Sequence, residues 1–167
     1  MPHPGEVATL DSGKVEFTLS YMVSEEKLII KVNEVRDIQL SNGFTLVSPY
    51  LKVRIFRKPK QFFTFRESVS GDKTISNLEK ELKTRMKRPT DVLSYKETFE
   101  VPTDPESLKS LTVNMLLCDM DKFARHVILG EISVPLRKAG LLTVQERTYL
   151  EDFAQPDKVA RIALHCL

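Results

Sequence analysis

An all-β, two-sheet antiparallel sandwich is the fold class the sequence predicts, on three observations. Apolar and polar residues alternate with period two in eight separate short runs, the pattern of half-buried strands. Turn-forming and charged residues separate those runs, so neighbouring strands reverse direction through connections rather than long crossovers. The 167 residues, 41% hydrophobic and 29% charged, describe one ordinary globular domain able to bury a core without staples.

After a polar leader over 1–12, Lys14–Tyr21 puts Val15, Phe17, Leu19 and Tyr21 on one face and Lys14, Glu16, Thr18 and Ser20 on the other. Ser24-Glu25-Glu26 turns the chain into a second strand, Lys27–Val35. The third, Tyr50–Phe56, alternates Lys52 and Arg54 with Leu51, Val53 and Ile55. Residues 57–83 then leave the pattern as an insertion. Ser76-Asn77-Leu78-Glu79 reads as a capping box, which predicts a short helix over about 77–84, with a structureless loop as the open alternative. Thr84–Arg88 is read as the fourth strand, Ser94–Pro102 as the fifth, Leu111–Leu117 as the sixth, Leu129–Leu136 as the seventh and Glu146–Asp152 as the eighth. The domain is expected over 13–152. Within the remaining 153–167, Val159–Leu167 is either an added edge strand or the start of a further domain.

Charge is segregated along the chain. Residues 48–90 carry 12 Lys/Arg and 4 Asp/Glu, or +8, against −6 for the remainder. Such a segment suits an anionic surface, although a solvated Lys-rich loop has the same composition. Phe62, Phe63 and Phe65 lie beside it and could stack on bases, but aromatic residues in such a hairpin more often pack inward, and no nucleic acid is expected. His3, His126 and His165 have no sequence-level nucleophile or carboxylate companion, and no Gly-rich phosphate loop or metalloprotease motif occurs, so catalysis is not expected. Cys118 and Cys166 are too few for a disulfide framework or a zinc site and read as core or near-core residues. Without a basic, apolar leader at the N-terminus or an apolar run of about 18 residues, the expected home is cytoplasmic, peripheral at membranes or vesicles.

The most informative stretch is Leu117–Glu131. Asp119 and Asp121, two positions apart in a loop, can share a divalent cation, since hard ions take several oxygens at about 2.3–2.6 Å. Their alternative partners are Lys122, Arg125 or loop amides. With Phe123, Gly130-Glu131 and Val134-Pro135-Leu136, the stretch resembles the third calcium loop of a C2 domain of the synaptotagmin type, Asp-x-Asp-Arg-Phe-Ser-x-x-Asp-x-x-Gly-Glu followed by a Val-Pro-Leu strand. Pro49-Tyr50-x-Lys52-Val53 is similar to the end of that family's first calcium loop, and Ser94–Pro102 to its fifth strand.

The resemblance implies a C2-like Greek-key sandwich and a non-catalytic adaptor in membrane traffic and exocytosis. It also implies a degenerate calcium site. The family gathers five aspartates from two loops, and here only Asp119 and Asp121 remain, with Asn42, Ser48 and Val127 at the other positions. Affinity follows ligand charge count, so at most a millimolar site is expected and calcium is not expected as a cofactor. The family's concave basic face, which takes phosphoinositide without calcium, maps onto Tyr50, Lys52 and Lys83, with Glu81 at another of its positions and Leu78-Glu79-Lys80-Glu81 replacing a lysine run. Arg54, Arg85, Lys87 and Arg88, with Arg57, Lys58 and Lys60 nearby, add cations. Phe44, Leu46, Phe123 and Val127 are expected as exposed apolar loop tips. The implied partner is anionic phospholipid or phosphoinositide. The alternatives are a protein-interaction module meeting an acidic trafficking partner or another C2 domain and, behind it, weak calcium-dependent phospholipid binding.

Overall fold

The computed structural model describes residues 6–57 and 78–156. Expectations for His3, for 58–77 with its three phenylalanines, and for Val159–Leu167 with His165 and Cys166 lie outside the described residues. The chain runs β1 (Leu10–Met22), a 3-10 turn (Val23–Glu25), β2 (Lys27–Leu40), β3 (Pro49–Arg57), β4 (Leu78–Lys83), β5 (Val92–Pro102), α1 (Pro105–Leu108), β6 (Leu111–Met120), β7 (His126–Pro135), α2 (Leu136–Ala139) and β8 (Glu146–Asp152). Two four-stranded sheets result, β5-β2-β1-β8 and β4-β3-β6-β7, with every pairing antiparallel.

Alternation sets the core. Val15, Phe17, Leu19, Leu28, Ile30, Val32, Leu51, Val53, Ile55, Val113, Met115 and Leu117 all point between the sheets and are fully buried. In β2 the parity changes, because Val32 and Val35 are both buried though three residues apart. A register shift between Val32 and Glu34 against β5 absorbs the extra residue, the usual work of a bulge. On the far edge Phe17 stacks on Tyr149 at 5.0 Å between centroids. There the two sheets are closed by Phe153, which is buried, and by paired hydrogen bonds between Glu131 and Ala154. Gly130 makes that closure possible, since a Cβ at this position would lie 2.8 Å from both Leu10 Cδ2 and Phe153 Cβ.

The helix expected over 77–84 and the fourth strand expected at Thr84–Arg88 are both corrected. The segment Leu78–Lys83 is strand β4, and 84–90 is an irregular connection. Pairing with β3 decides it: Leu82 sits opposite Val53 and packs on the core, while Glu81 sits opposite Arg54. Cross-strand contacts of this kind outweigh the few tenths of a kcal/mol per residue by which local propensity favours a helix. Thr84 ends the strand, its N–H donating to Leu51 O at 2.9 Å and its hydroxyl accepting from Leu51 N at 3.0 Å.

Candidate functional site: the loop end and its basic rim

Three connections meet at one end of the sandwich: 41–48 between β2 and β3, 84–91 between β4 and β5, and 121–125 between β6 and β7. The register brings them together, with Pro49 opposite Asp119 and Lys52 opposite Lys83. Backbone bonds then tie them. Met120 N donates to Ser48 O at 3.3 Å and Lys87 N to Pro49 O at 3.1 Å, and the Tyr95 hydroxyl reaches the same Pro49 carbonyl at 2.9 Å.

Both loop aspartates are already engaged by the chain's own donors. Asp119 is 4% exposed and accepts from Val47 N at 3.1 and 3.2 Å and from Ser48 N at 2.7 Å. Burial pushes its carboxyl above the usual value; the two amides oppose that and the nearby Asp121 adds to it. Asp121 accepts from Phe123 N at 2.9 Å, from Arg125 N at 3.0 Å and from Arg125 Nε at 2.9 Å, with the second guanidinium nitrogen 2.8 Å away. Burial acts to raise its carboxyl too, but the Arg125 side-chain and amide bonds outweigh it and hold the group below the usual value. Arg125 also donates to Glu6 O at 2.6 Å, which straps the leader to the loop. Of the partners read from sequence, Arg125 and the loop amides take this role; Lys122 instead lies over the Phe123 ring at 5.3 Å.

The replaced ligand positions bring little oxygen to this point. Ser48 contributes its amide to Asp119, and Asn42 is exposed at the loop tip in a left-handed conformation, φ 53°. Val127 corrects the expectation of an exposed tip: it is 2% exposed, opposite Asp119 in the β6–β7 register, and packs in the main core. Among the described residues no group of three or more His, Cys, Asp or Glu side chains converges as metal ligands.

The basic residues fall into two sets. Lys52 and Arg54 project from the outer face of β3, and the Glu81 carboxylate lies between them, 3.4 Å from Lys52 Nζ and 2.9 Å from Arg54 Nε. Lys52 is only 7% exposed, and Arg57 is paired with Glu79. Tyr50 is buried beside them, its hydroxyl 2.7 Å from His126 Nδ1, and burial, with the neighbouring Cys118 and Asp119, keeps the phenol well above its ordinary range. The second set is Lys83, Arg85, Lys87 and Arg88. These four form no ion pair among the described residues; Lys87 instead lies 5.8 Å from the Tyr95 ring centroid.

Apolar tips lie at the same end of the sandwich. Phe123 is 38% exposed, with the Arg125 guanidinium 5.1 Å and the Lys122 ammonium 5.3 Å from its ring centroid. Phe44 and Leu46 are half-buried rather than exposed, because Leu46 packs on the core and both line a cleft of about 490 Å³ with Ile38, Pro89 and Thr90. Sequence reasoning missed Val47, Met86 and Val92, further exposed apolar groups at this end. Met86 stands between two cations in a stretch read as a strand, and placing it in a connection instead would have exposed it.

A C2 domain family model matches residues 26–151. Among curated relatives, human synaptotagmin-10 is 25% identical over 120 residues, 72% of this chain and 19% of its own length. Mouse synaptotagmin-2 is 25% identical over 129 residues, 77% of this chain and 26% of its own length. The chain thus spans about a fifth to a quarter of these relatives. Among solved structures, a C2 domain of RIM from Drosophila superposes with TM-score 0.62 at 15% identity, covering 86% of this chain and 98% of that one. The first C2 domain of human synaptotagmin XIII gives TM-score 0.60 at 17% identity, covering 87% and 91%. At such identities the structures speak to the fold alone, and the family match carries the assignment: this chain belongs to the C2 domain family.

Proposed function

We propose that this chain is a non-catalytic adaptor module of membrane traffic that docks on anionic phospholipid without calcium, through the loop end and its basic rim. The observation that carries this is the combination at one end of the fold. Lys83, Arg85, Lys87 and Arg88 are free of ion pairs among the described residues and lie at the same end of the sandwich as exposed Val47, Met86 and Phe123, while Asp119 and Asp121 are occupied by amides and Arg125. A divalent ion would have to displace a guanidinium that holds one Asp121 oxygen through two nitrogens to gain one carboxylate. Fixed cations need no such exchange. At ~1 kcal/mol each near an anionic surface, the four supply ~4 kcal/mol, and partial insertion of Phe123 adds ~1 kcal/mol or more. That corresponds to dissociation constants on the order of 0.1 mM, a peripheral and reversible attachment. No helix among the described residues is long and apolar enough to cross a membrane, in keeping with docking from one side.

A second reading is supported by Glu79 and Glu81, which neutralise Arg57, Lys52 and Arg54 and leave the outer face of β3 and β4 mixed in sign. That face suits a protein partner, including another C2 domain, better than a phosphate cluster. Sedimentation with vesicles of phosphatidylcholine alone, or with added phosphatidylserine and phosphatidylinositol bisphosphate, separates the readings. Binding in chelator that needs the anionic lipid, weakens toward physiological salt and disappears in a Lys83→Glu, Arg85→Glu, Arg88→Glu triple variant is expected. Binding seen only with calcium, or absent at low salt, would sink the proposal.

A further inference from the structure

We propose that Thr90 is a phosphoacceptor for a protein kinase that selects basic residues, and that its phosphate turns off the docking surface; the second half rests on the membrane reading above. The sequence Arg85-Met86-Lys87-Arg88-Pro89-Thr90-Asp91 places cations two, three and five residues before the hydroxyl. A kinase whose substrate groove is lined by carboxylates reads that arrangement through charge-assisted bonds. Asp91 after the acceptor rules out an enzyme that requires proline there.

The fold presents this segment for capture. Residues 84–90 are neither helix nor strand, and Arg88, Pro89, Thr90 and Asp91 are all exposed. The last backbone anchor before Thr90 is the bond from Lys87 N to Pro49 O, and the next element is β5, which starts at Val92. Between them Arg88–Asp91 can lie extended in a kinase cleft, and for the cations three and five residues back to be read the bonds from Lys87 N to Pro49 O and from Arg85 N to Glu97 Oε2 must open as well. The Thr90 hydroxyl makes one hydrogen bond, donated to Val92 O at 2.6 Å, which it gives up on binding. In the transfer, Oγ1 bonds to the γ-phosphorus of ATP as the bond to the bridging oxygen breaks; ADP leaves and the hydroxyl proton passes to the kinase's base.

The electrostatic consequence is local. A phosphate carries about −1.5 to −2 charges at neutral pH, set here two residues from Arg88 and three from Lys87. Those cations would be satisfied within the chain, as Glu81 already satisfies Lys52 and Arg54 across β3 and β4. Thr90 is not one of the docking residues, so the unmodified hydroxyl leaves the surface active.

The test uses the purified chain, the catalytic subunit of cAMP-dependent protein kinase with magnesium-ATP, intact-mass and peptide mapping, and vesicles containing phosphatidylserine and phosphatidylinositol bisphosphate in chelator. One phosphate on Thr90, none at that position in Thr90→Ala, and binding about thirtyfold weaker after modification are expected, with Thr90→Ala binding like the unmodified chain. A native chain left unmodified at Thr90 while a synthetic peptide of residues 84–93 is phosphorylated would overturn the assignment, because the fold would then be hiding the site. Equal vesicle binding before and after modification would overturn the switch. Failure of the unmodified chain to bind vesicles would instead remove the membrane reading and the switch together, leaving the phosphoacceptor to stand on the mass measurement.

Discussion

Replacing Arg125 with Ala tests whether the loop end is held by its own cation. The guanidinium bridges Asp121 through two nitrogens, at 2.9 and 2.8 Å, with side chains 25% and 17% exposed, and bonds the Glu6 carbonyl. A hydrogen bond to a charged partner contributes ~1.5–3 kcal/mol, and removing one side of a buried pair costs ~3–5 kcal/mol. This pair is only partly buried, and Asp121 keeps two amide donors, so about 2 kcal/mol is expected. For a domain of this size that lowers Tm by about 6–8 °C. Arg125→Lys keeps the charge but not the two-nitrogen grip on the Asp121 oxygen and should lose about half as much. Scanning calorimetry of both variants, with chelator and with millimolar calcium, gives the decisive comparison. Because Asp119 remains bound to loop amides and Val127 supplies no oxygen, calcium should not restore the lost stability. Recovery of the Arg125→Ala melting temperature in millimolar calcium would refute this reasoning and make the loop a metal site that Arg125 merely occludes.

The depressed Asp121 carboxyl implies a pH dependence of known sign. Its stabilising effect is complete above the ordinary value of 3.8 and is lost as pH falls through the lower folded value, so the stability gap between wild type and Asp121→Asn should narrow there in urea titrations. Glu81→Gln should raise vesicle affinity roughly tenfold in sedimentation by releasing Lys52 and Arg54, at a stability cost of about 1–2 kcal/mol because Lys52 is nearly buried. Gly130→Ala should destabilise by about 1–3 kcal/mol in thermal melts, since its Cβ would overlap Leu10 and Phe153; an unchanged melt would mean that closure between the sheets yields easily.

Seven of the eight strands could be read from alternation, most of them because one face lies inside, as Phe17 and Leu19 do in β1; β8 alternates too, though only Tyr149 of it is half-buried. Strand β4 could not. Leu78 and Leu82 are four residues apart, a spacing that satisfies both a helical turn and an even-numbered strand repeat, and only the pairing with β3 breaks the tie. A similar limit applies to the loop end. Arg125 and loop amides were both readable as partners for the pair, but not which amides: Asp119 is held by ones 71 and 72 residues distant, and backbone groups leave no mark in side-chain identity. The bond between Tyr50 and His126 spans 76 residues and is equally silent. Val127 is different: it shares parity with Leu129, so extending the seventh strand two residues backward would have placed it in the core. The weight given to a loop motif hid a strand signal that was present.

A site gated by a metal switches when the ion arrives, because the ion supplies both the charge and the loop order. Here the order comes from Arg125, Val47 and Ser48, and the charge from lysines and arginines of the chain itself. If docking runs without calcium as proposed, ion concentration cannot be what regulates it. Control must then act on the fixed charges themselves. Ionic strength does so uniformly and without selectivity, through a screening length of ~8 Å at 0.15 M. A carboxylate or phosphate carried by the chain does so locally. Glu81 shows that an internal anion can retire two cations of this surface at the cost of one residue, so the sensitive element is the stretch where cations are still unpaired, Lys83–Arg88. Selection for responsiveness should therefore concentrate there rather than at Asp119 and Asp121, whose substitution would loosen the loops and report on folding instead.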